Sequence, residues 1–311
     1  MISETLDEGL SGARLYRARR QDGSSVVLKH LSPSHDWMMR ATRDQGREAL
    51  MWEAGLFASL PSEVGCPIVS AVPLGDDWII VLDDITPELQ ALHGDPTPQA
   101  RRMLTAVDAI HNLPVPADTS MFCTAADRLR IFSPVRRLLE WRGDDIIPKE
   151  LTKVWEAFAE LPAVDVVDAV LACVDDPAAL LERVAQQPHR VLHGDLRLPN
   201  LGASPTSMLA IDWGLSCYAP PELDVVWLFS DAAFWCTSEL ADLIDLWIDV
   251  TGGRATTETL DLAFIFHAAM GEIGYLALQL AEQPPGSTQL TPDRLAWWLG
   301  RVRDAFDRVS L

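Results

Sequence analysis

Val191 to Gly214, VLHGDLRLPNLGASPTSMLAIDWG, is the stretch on which the reading of the fold turns. Val191 and Leu192 read as the apolar end of a strand, followed by the polar loop His193-Gly194-Asp195-Leu196-Arg197-Leu198-Pro199-Asn200. A second strand over Met208 to Ile211 delivers Asp212 at its end, ahead of Trp213 and Gly214. Loops that leave strand ends present reactive groups, because their residues need not pack. The spacing fits phosphoryl transfer: Asp195 can position a hydroxyl, while Asn200 and Asp212 offer hard oxygen ligands to Mg²⁺. Acidic turns after strands are common, so the weight rests on two linked segments agreeing.

The order and inner spacing match the protein-kinase pattern H-R-D-L-x-x-x-N followed by D-F-G. Here H-G-D-L-R-L-P-N is followed by D-W-G, and Gly194 for Arg and Trp213 for Phe move the resemblance away from protein kinases. The segment closely resembles the aminoglycoside phosphotransferase and choline kinase-like family, whose loop commonly reads HGDxxxxN and whose metal motif is often IDW. That resemblance implies an α+β, bilobal, protein-kinase-like fold. Residues 1–84 would form a mainly β, nucleotide-binding N-lobe, and 85–311 a larger helical C-lobe with the catalytic loop and acceptor region. It also implies an O-phosphotransferase using ATP, or GTP, with Mg²⁺. Asp195 would accept or orient the hydroxyl proton, Asn200 and Asp212 would hold the metal, and Lys29 would contact the phosphates. Arg197 departs from the family's frequent histidine. Counted from Asp195, it stands where many protein kinases hold a lysine near the transferring phosphate, so it reads either as a catalytic cation or as a structural ion pair.

Outward from this stretch, the N-terminal part supplies the other pieces. Gly9-Leu10-Ser11-Gly12-Ala13 is turn-rich, and strand-like runs follow over Arg14 to Arg19 and Ser25 to Leu31, joined by Gln21-Asp22-Gly23. A glycine turn between strands can bring backbone N–H groups to phosphates; a plain hairpin is the default, and its place just before VVLKHL favours the phosphate reading for Ser11 and Gly12. Lys29 lies in that apolar strand, either facing solvent on an amphipathic edge or, as in kinases, pairing with a glutamate on the next helix. The helix is expected over Thr42 to Leu60, with Glu48 and Glu53 as candidate partners. Arg47-Glu48 resembles the family pattern and points to Glu48, although the linker from Lys29 is long. Two more strands, Cys66 to Val69 and Trp78 to Leu82, flank the turn Gly75-Asp76-Asp77 and end in Asp83-Asp84-Ile85-Thr86-Pro87. The resemblance makes this the hinge, with backbone groups at Leu82, Asp83 and Asp84 on the adenine; an ordinary exit from a sheet reads the same way.

From Thr97 onward the chain reads as helical. Helices are expected over Gln99 to Asn112, Asp127 to Trp141, Lys149 to Leu161, Ala163 to Val174 and Ala178 to Gln187. After the central stretch come Pro220 to about Phe234, Ser238 to Val250, Thr257 to Gln283 and Thr291 to Val309. His111 sits in Ala-Ile-His-Asn-Leu-Pro, similar to the family's LHxLP, and reads as a packing or capping residue. Asp224 reads as a brace near the catalytic loop. Thr257–Gln283 is apolar on several sides and should be buried; His267 and Glu272 within it need partners, in a substrate pocket, a satisfied core or a helix-end salt bridge.

Composition bounds the rest. The 311 residues suffice for two lobes with substantial cores, and 48% hydrophobic content argues against extended disorder. No apolar run reaches a membrane span, and MISETLDEGL lacks the basic start and apolar block of a signal peptide. Five scattered cysteines without a CxxC pair suggest reduced thiols in a cytoplasmic protein and no structural zinc. A formal charge of −20 disfavours nucleic acid and anionic membranes as partners. It would favour a cationic acceptor, or it serves solubility alone. An antibiotic bearing a sugar, such as an aminoglycoside, is the first acceptor reading. A metabolite such as choline, a free sugar or a homoserine-like amino alcohol is the second. A nucleotide-binding regulator without catalysis is a third, disfavoured by the intact Lys29, Asp195, Asn200 and Asp212.

Overall fold

A computed structural model describes residues 2–6, 11–90, 92, 97–134, 146–235, 239–284, 290–309 and 311. Gly9 and Leu10 of the first turn, the expected helix beyond 134, Gly143 and Ser238 lie outside the described residues. The fold is α+β and bilobal. Its sheet comprises β1 (Ile2–Thr5), β2 (Arg14–Arg19) and β3 (Ser25–Leu31), then β5 (Ile68–Leu74) and β6 (Asp77–Asp83). The short β4 (Val64–Gly65) precedes β5. The sheet order is β1-β2-β3-β6-β5, antiparallel throughout. Side chains alternate across a strand, so Val27, Lys29 and Leu31 share one face of β3, and they line a cleft beneath the sheet. Lys29 is only 8% exposed, which removes the solvent-facing reading.

The expected helix over Thr42 to Leu60 is instead one short helix and a 3₁₀ turn, and a separate helix ends where it was expected to begin. Helix α1 (Trp37–Thr42) and α2 (Arg47–Glu53) are followed by a 3₁₀ turn at Phe57–Ser59. Asp36 starts α1 by accepting from the Met39 N–H at 3.0 Å, a side-chain N-cap. Asp44 performs the same service before α2, accepting from the Gly46 and Arg47 amides. The inserted α1 is why the linker from Lys29 is long.

The helical part runs α3 (Thr86–Gln90), α4 (Ala100–His111), α5 (Ala125–Phe132), α6 (Ile146–Ala159), α7 (Val164–Asp175) and α8 (Ala178–Ala185). The central stretch contributes β7 (Arg190–Leu192), β8 (Leu201–Ala203), β9 (Met208–Ala210) and β10 (Cys217–Ala219). Two small sheets order them: β10 on β7, and β4-β9-β8, in which β4 pairs parallel to β9 and ties the upper sheet to the lower part. Then come α9 (Glu222–Trp235), α10 (Leu240–Val250), α11 (Thr257–Ala269), α12 (Glu272–Glu282) and α13 (Pro292–Val309).

The single helix expected over Thr257 to Gln283 is two, bent by 59°. Gly271 sits between them at φ 91°, a left-handed value that glycine adopts without steric cost, and it starts α12. Every residue of α11 from Thr259 to Ala269 is buried, so this helix is the core of the lower part. His267 there is a buried core residue whose Nε2–H donates to the Leu223 carbonyl at 2.6 Å, while its Nδ1 is buried without a hydrogen-bond partner among the described residues. Burial pushes its pKa down to about 3, which keeps the ring neutral. Among the described residues, no single helix is long and apolar enough to cross a membrane.

Candidate active site

The loop after β7 is held by one buried carboxylate. Asp224, in the first turn of α9, accepts from the amide of His193 at 2.8 Å and of Gly194 at 2.9 Å, and from His111 Nε2 at 3.2 Å. Burial opposes its charge, but the bond from His111 and the nearby cations hold its pKa below the ordinary value. His111 and Asp224 are thus braces from two helices. Gly194 explains the departure from H-R-D. Its φ is 85°, and a Cβ there would lie 1.8 Å from the Leu215 carbonyl oxygen, so no side chain fits.

His193 joins the two motifs. Its Nε2–H donates to the Ile211 carbonyl at 2.9 Å, and Nδ1 accepts the Asp195 amide at 3.3 Å. Trp213 is fully buried against it, with ring centroids 4.4 Å apart and a second contact to Phe57 at 5.2 Å. The large indole therefore fills a core site, while Asp212 beside it stays open with a side chain 51% exposed. Asp212 adopts φ 64° and ψ 63°, a left-handed geometry uncommon for a residue with a side chain and typical of functional positions.

One cavity of about 470 Å³ collects most of the sequence-chosen residues. Lys29, Asp195, Arg197, Asn200 and Asp212 line it, as do Ser11, Leu82, Asp83 and Asp84. Lys29 Nζ donates to Glu48 Oε2 at 2.8 Å and to Asp212 Oδ1 at 2.7 Å. Burial works against the ammonium, but the two carboxylates outweigh it and raise its pKa, so the charge is permanent. Lys29 in turn holds the Asp212 carboxyl below its usual value. Glu48 stands behind the cavity wall at 0% exposure, whereas Glu53 at the end of α2 is exposed; the pairing is with Glu48.

Opposite, Asn200 Nδ2 donates to the Asp195 carbonyl at 2.8 Å and to Asp195 Oδ2 at 2.9 Å. Those bonds fix the amide so that its oxygen has no protein partner among the described residues. With the Asp212 carboxylate it makes a hard-oxygen pair that suits Mg²⁺. Burial holds the Asp195 carboxyl above its ordinary value. Arg197 is 28% exposed and 3.5 Å from Asp231 Oδ1. Its pKa is raised despite burial, by Asp195, Asp231 and Glu272 together.

The nucleotide-side choices fare unequally. Ser11 faces the cavity, but its Oγ donates to Asp36 at 2.9 Å; Gly12 lies behind it, its carbonyl against His35 Nδ1 at 3.0 Å. Leu82, Asp83 and Asp84 border the cavity as a hinge would. The Asp83 and Asp84 amides already donate to the Pro67 and Ser25 carbonyls, and their carboxylates pair with Arg20 and Arg17. Glu272 is not part of the lining; burial raises its pKa to about 6.

Sequence reasoning missed three groups. Arg47 donates to the Met121 carbonyl at 2.8 Å and to the Gly214 carbonyl, tying α2 to the loop after Asp212. Asp231 accepts the Leu198 amide at 2.7 Å and pairs with Arg197; an acid inside the apolar run Glu222–Trp235 was its signal. Asp36 both caps α1 and anchors Ser11, and Ser-His-Asp before an apolar run was a cap signature.

Asp36 is 3% exposed, and burial pushes its carboxyl up to about 6 from 3.8. The folded chain therefore holds more protons than the unfolded one between about pH 4 and 6, and this group's contribution to stability falls as pH rises through that window. Asp36→Asn keeps a capping oxygen and removes the titration. Its stability relative to wild type should climb through that window and level off above it, by at most about 3 kcal/mol. Urea unfolding of both proteins from about pH 4 to about pH 7 checks this; a flat difference contradicts it.

Among solved structures, the chain is similar to the aminoglycoside phosphotransferase APH(3'')-Id of Streptomyces rimosus, at 18% identity and TM-score 0.53, covering 86% of this chain and 92% of that one. It is also similar to the spectinomycin phosphotransferase APH(9)-Ia in complex with ADP and spectinomycin, at 16% identity and TM-score 0.57, covering 100% and 94%. The choline kinase LicA of Streptococcus pneumoniae matches at 13% identity and TM-score 0.51, covering 99% and 94%. At these identities the likeness is one of fold. A search of curated protein sequences finds no significant match. The sequence model of the phosphotransferase enzyme family, in contrast, matches residues 13–261, from the turn before β2 to the middle of α11. The chain belongs to that family and is a small-molecule phosphotransferase.

Proposed function

We propose that this chain moves the γ-phosphoryl group of ATP, or of GTP, to a hydroxyl of an antibiotic, an aminoglycoside or another sugar-containing natural product, and so gives resistance or self-protection in the cytoplasm. The observation that carries the reading is one cavity with two prepared walls: Lys29 held between Glu48 and Asp212, and Asp195 held by Asn200. Residues 1–84 serve as the nucleotide lobe and 85–311 as the catalytic and acceptor lobe, with the hinge backbone after Leu82 beside the base. Lys29 contacts the phosphates. The Asp212 carboxylate and the free Asn200 amide oxygen would hold Mg²⁺, which supplies charge neutralisation at the phosphate oxygens.

Asp195 orients the acceptor hydroxyl and takes its proton as the new oxygen–phosphorus bond forms. The bond from the γ-phosphorus to the bridging oxygen breaks, and ADP leaves. Catalysis here is positioning and electrostatics, because the transferring group needs little else from the protein. Likeness to structures of an aminoglycoside and a spectinomycin phosphotransferase supports the antibiotic reading. Likeness to a choline kinase supports a second one, a metabolite acceptor. ADP release measured across antibiotics, choline, free sugars and amino alcohols separates the two: stimulation by an antibiotic and by none of the metabolites is expected, and the reverse pattern contradicts the first reading.

Arg197 stabilises the charge on the transferring group in this scheme, its guanidinium offering two parallel donors. Arg197→Lys keeps the charge and loses the fork, and Arg197→Ala loses both. Turnover should fall from wild type to Lys to Ala, by roughly 10²-fold or more at the last step, with little change in melting temperature. A lowered melting temperature with turnover per folded molecule preserved would make Arg197 only the partner of Asp231.

A further inference from the structure

The insert between β3 and α2 joins the two lobes. Helix α1 packs against α5. Its Trp37 and Ala41 share a small apolar cluster with Ile131 of α5, Leu151 of α6 and Leu215, the residue after D-W-G, and this cluster is separate from the main core. Each member is at most 7% exposed, and Trp37, at 1%, is the largest of them. A six-residue helix is well below the length of about 12 residues at which an isolated helix begins to hold in water. What fixes α1 is therefore its Asp36 cap and the seat of Trp37 in the other lobe. The Trp37 indole N–H is buried without a partner among the described residues, so the seat holds by packing.

The same insert clasps the described part of the first glycine turn, Ser11 to Ala13. The Trp37 amide donates to the Ser11 carbonyl at 2.8 Å, and the Ser11 hydroxyl donates to Asp36 Oδ2 at 2.9 Å. The His35 Nδ1–H donates to the Gly12 carbonyl at 3.0 Å. A Cβ on Gly12 would run into the His35 carbonyl oxygen, so only glycine lets the two segments lie this close. Ser11 and Ala13 line the cavity together with Lys29, whereas Trp37, Ile131 and Leu151 lie outside its lining. The turn at the cavity's edge is thus tied to the helical lobe through a seat that no ligand in the cavity would touch.

We infer that Trp37 is a positioning residue for the nucleotide's phosphates. Seated in the helical lobe it fixes α1, and α1 fixes Ser11 and Gly12 beside the triphosphate, so that both lobes grip that end of the nucleotide. Without the seat the turn is in place only part of the time, and apparent affinity for a ligand that needs it falls by that fraction. Adenosine ends short of the turn and gains nothing from the seat. The inference rests on the phosphotransferase reading of the cavity, and it is tested by binding, apart from transfer.

Calorimetric titration compares adenosine with the non-hydrolysable triphosphate analogue AMP-PNP in excess Mg²⁺. Trp37→Ala should weaken AMP-PNP binding by roughly tenfold and adenosine binding by less than about twofold. Ile131→Ala thins the seat from the helical lobe, away from the cavity lining, and should show the same selective loss. Trp37→Phe keeps a ring in the seat and should restore most of the affinity. If Trp37→Ala fails to fold, Ile131→Ala decides the matter. Equal losses for the two ligands would make the seat a matter of stability alone and overturn the inference. Unchanged AMP-PNP binding in Ile131→Ala also overturns it, as does a wild type that binds neither ligand. Selective loss in a protein from which no acceptor draws ADP release keeps the positioning role and overturns the transfer reading instead.

Discussion

Asp195→Asn should lower turnover by roughly 10²–10⁴-fold, the range spanned by a positioned acid–base group, with nucleotide affinity nearly kept. The substitution preserves shape. An asparagine oxygen can still accept from Asn200 Nδ2, which now bonds Asp195 Oδ2 at 2.9 Å, so the loop held by Asp224 has no reason to move. What disappears is the negative charge that orients the hydroxyl and receives its proton. Wild-type activity should also fall on the acid side at a pH above the ordinary carboxylate range of about 4, because burial raises the Asp195 pKa and only the ionised form works. Loss of that acid limb in the variant accompanies the loss of rate. Steady-state kinetics against pH checks both, and near-normal turnover in the variant removes Asp195 from the mechanism.

Asp212→Ala has the second large effect. Asp212 has the exposed carboxylate of the D-W-G segment, and its ion pair with Lys29 keeps it ionised far below neutral pH. Lys29 retains Glu48 in the variant, so the fold and the ammonium should survive while the metal loses its main ligand. Mg²⁺-dependent turnover should fall by at least roughly 10²–10³-fold, the scale of losing one preorganised electrostatic contact. A Mg²⁺ titration of activity in both proteins is the check. Superimposable curves would refute the metal assignment.

Much of this site was legible before any coordinates, because its residues are neighbours in sequence. His193 to Asn200 and Ile211 to Gly214 carry their spacing on their face, whereas the choice of Glu48 over Glu53 as the partner of Lys29 rests only on the resemblance of Arg47-Glu48 to the family pattern, with the inserted α1 lengthening the linker. The helices were harder. Six-residue α1 is shorter than the window in which a 3.6-residue period shows, and it is specified by the Asp36 cap, not by its apolar residues. The bend at Gly271 was invisible because α11 is buried all round, and a uniformly apolar segment carries no phase that a change of direction would break. Least legible were bonds between distant positions. Arg47 reaches the Gly214 carbonyl 167 positions away, and Arg197 in the catalytic loop pairs with Asp231 of α9, an acid whose place in an apolar run marks it without naming its partner.

The most direct test of the central claim follows the phosphorus. The purified protein, ATP labelled at the γ-phosphate and Mg²⁺ are incubated with the antibiotic and metabolite acceptors, and the labelled products are separated. Label is expected on an organic phosphate ester, released by alkaline phosphatase and absent with Asp195→Asn. Label that remains in ATP, or appears only as inorganic phosphate at a rate no acceptor changes, would contradict it.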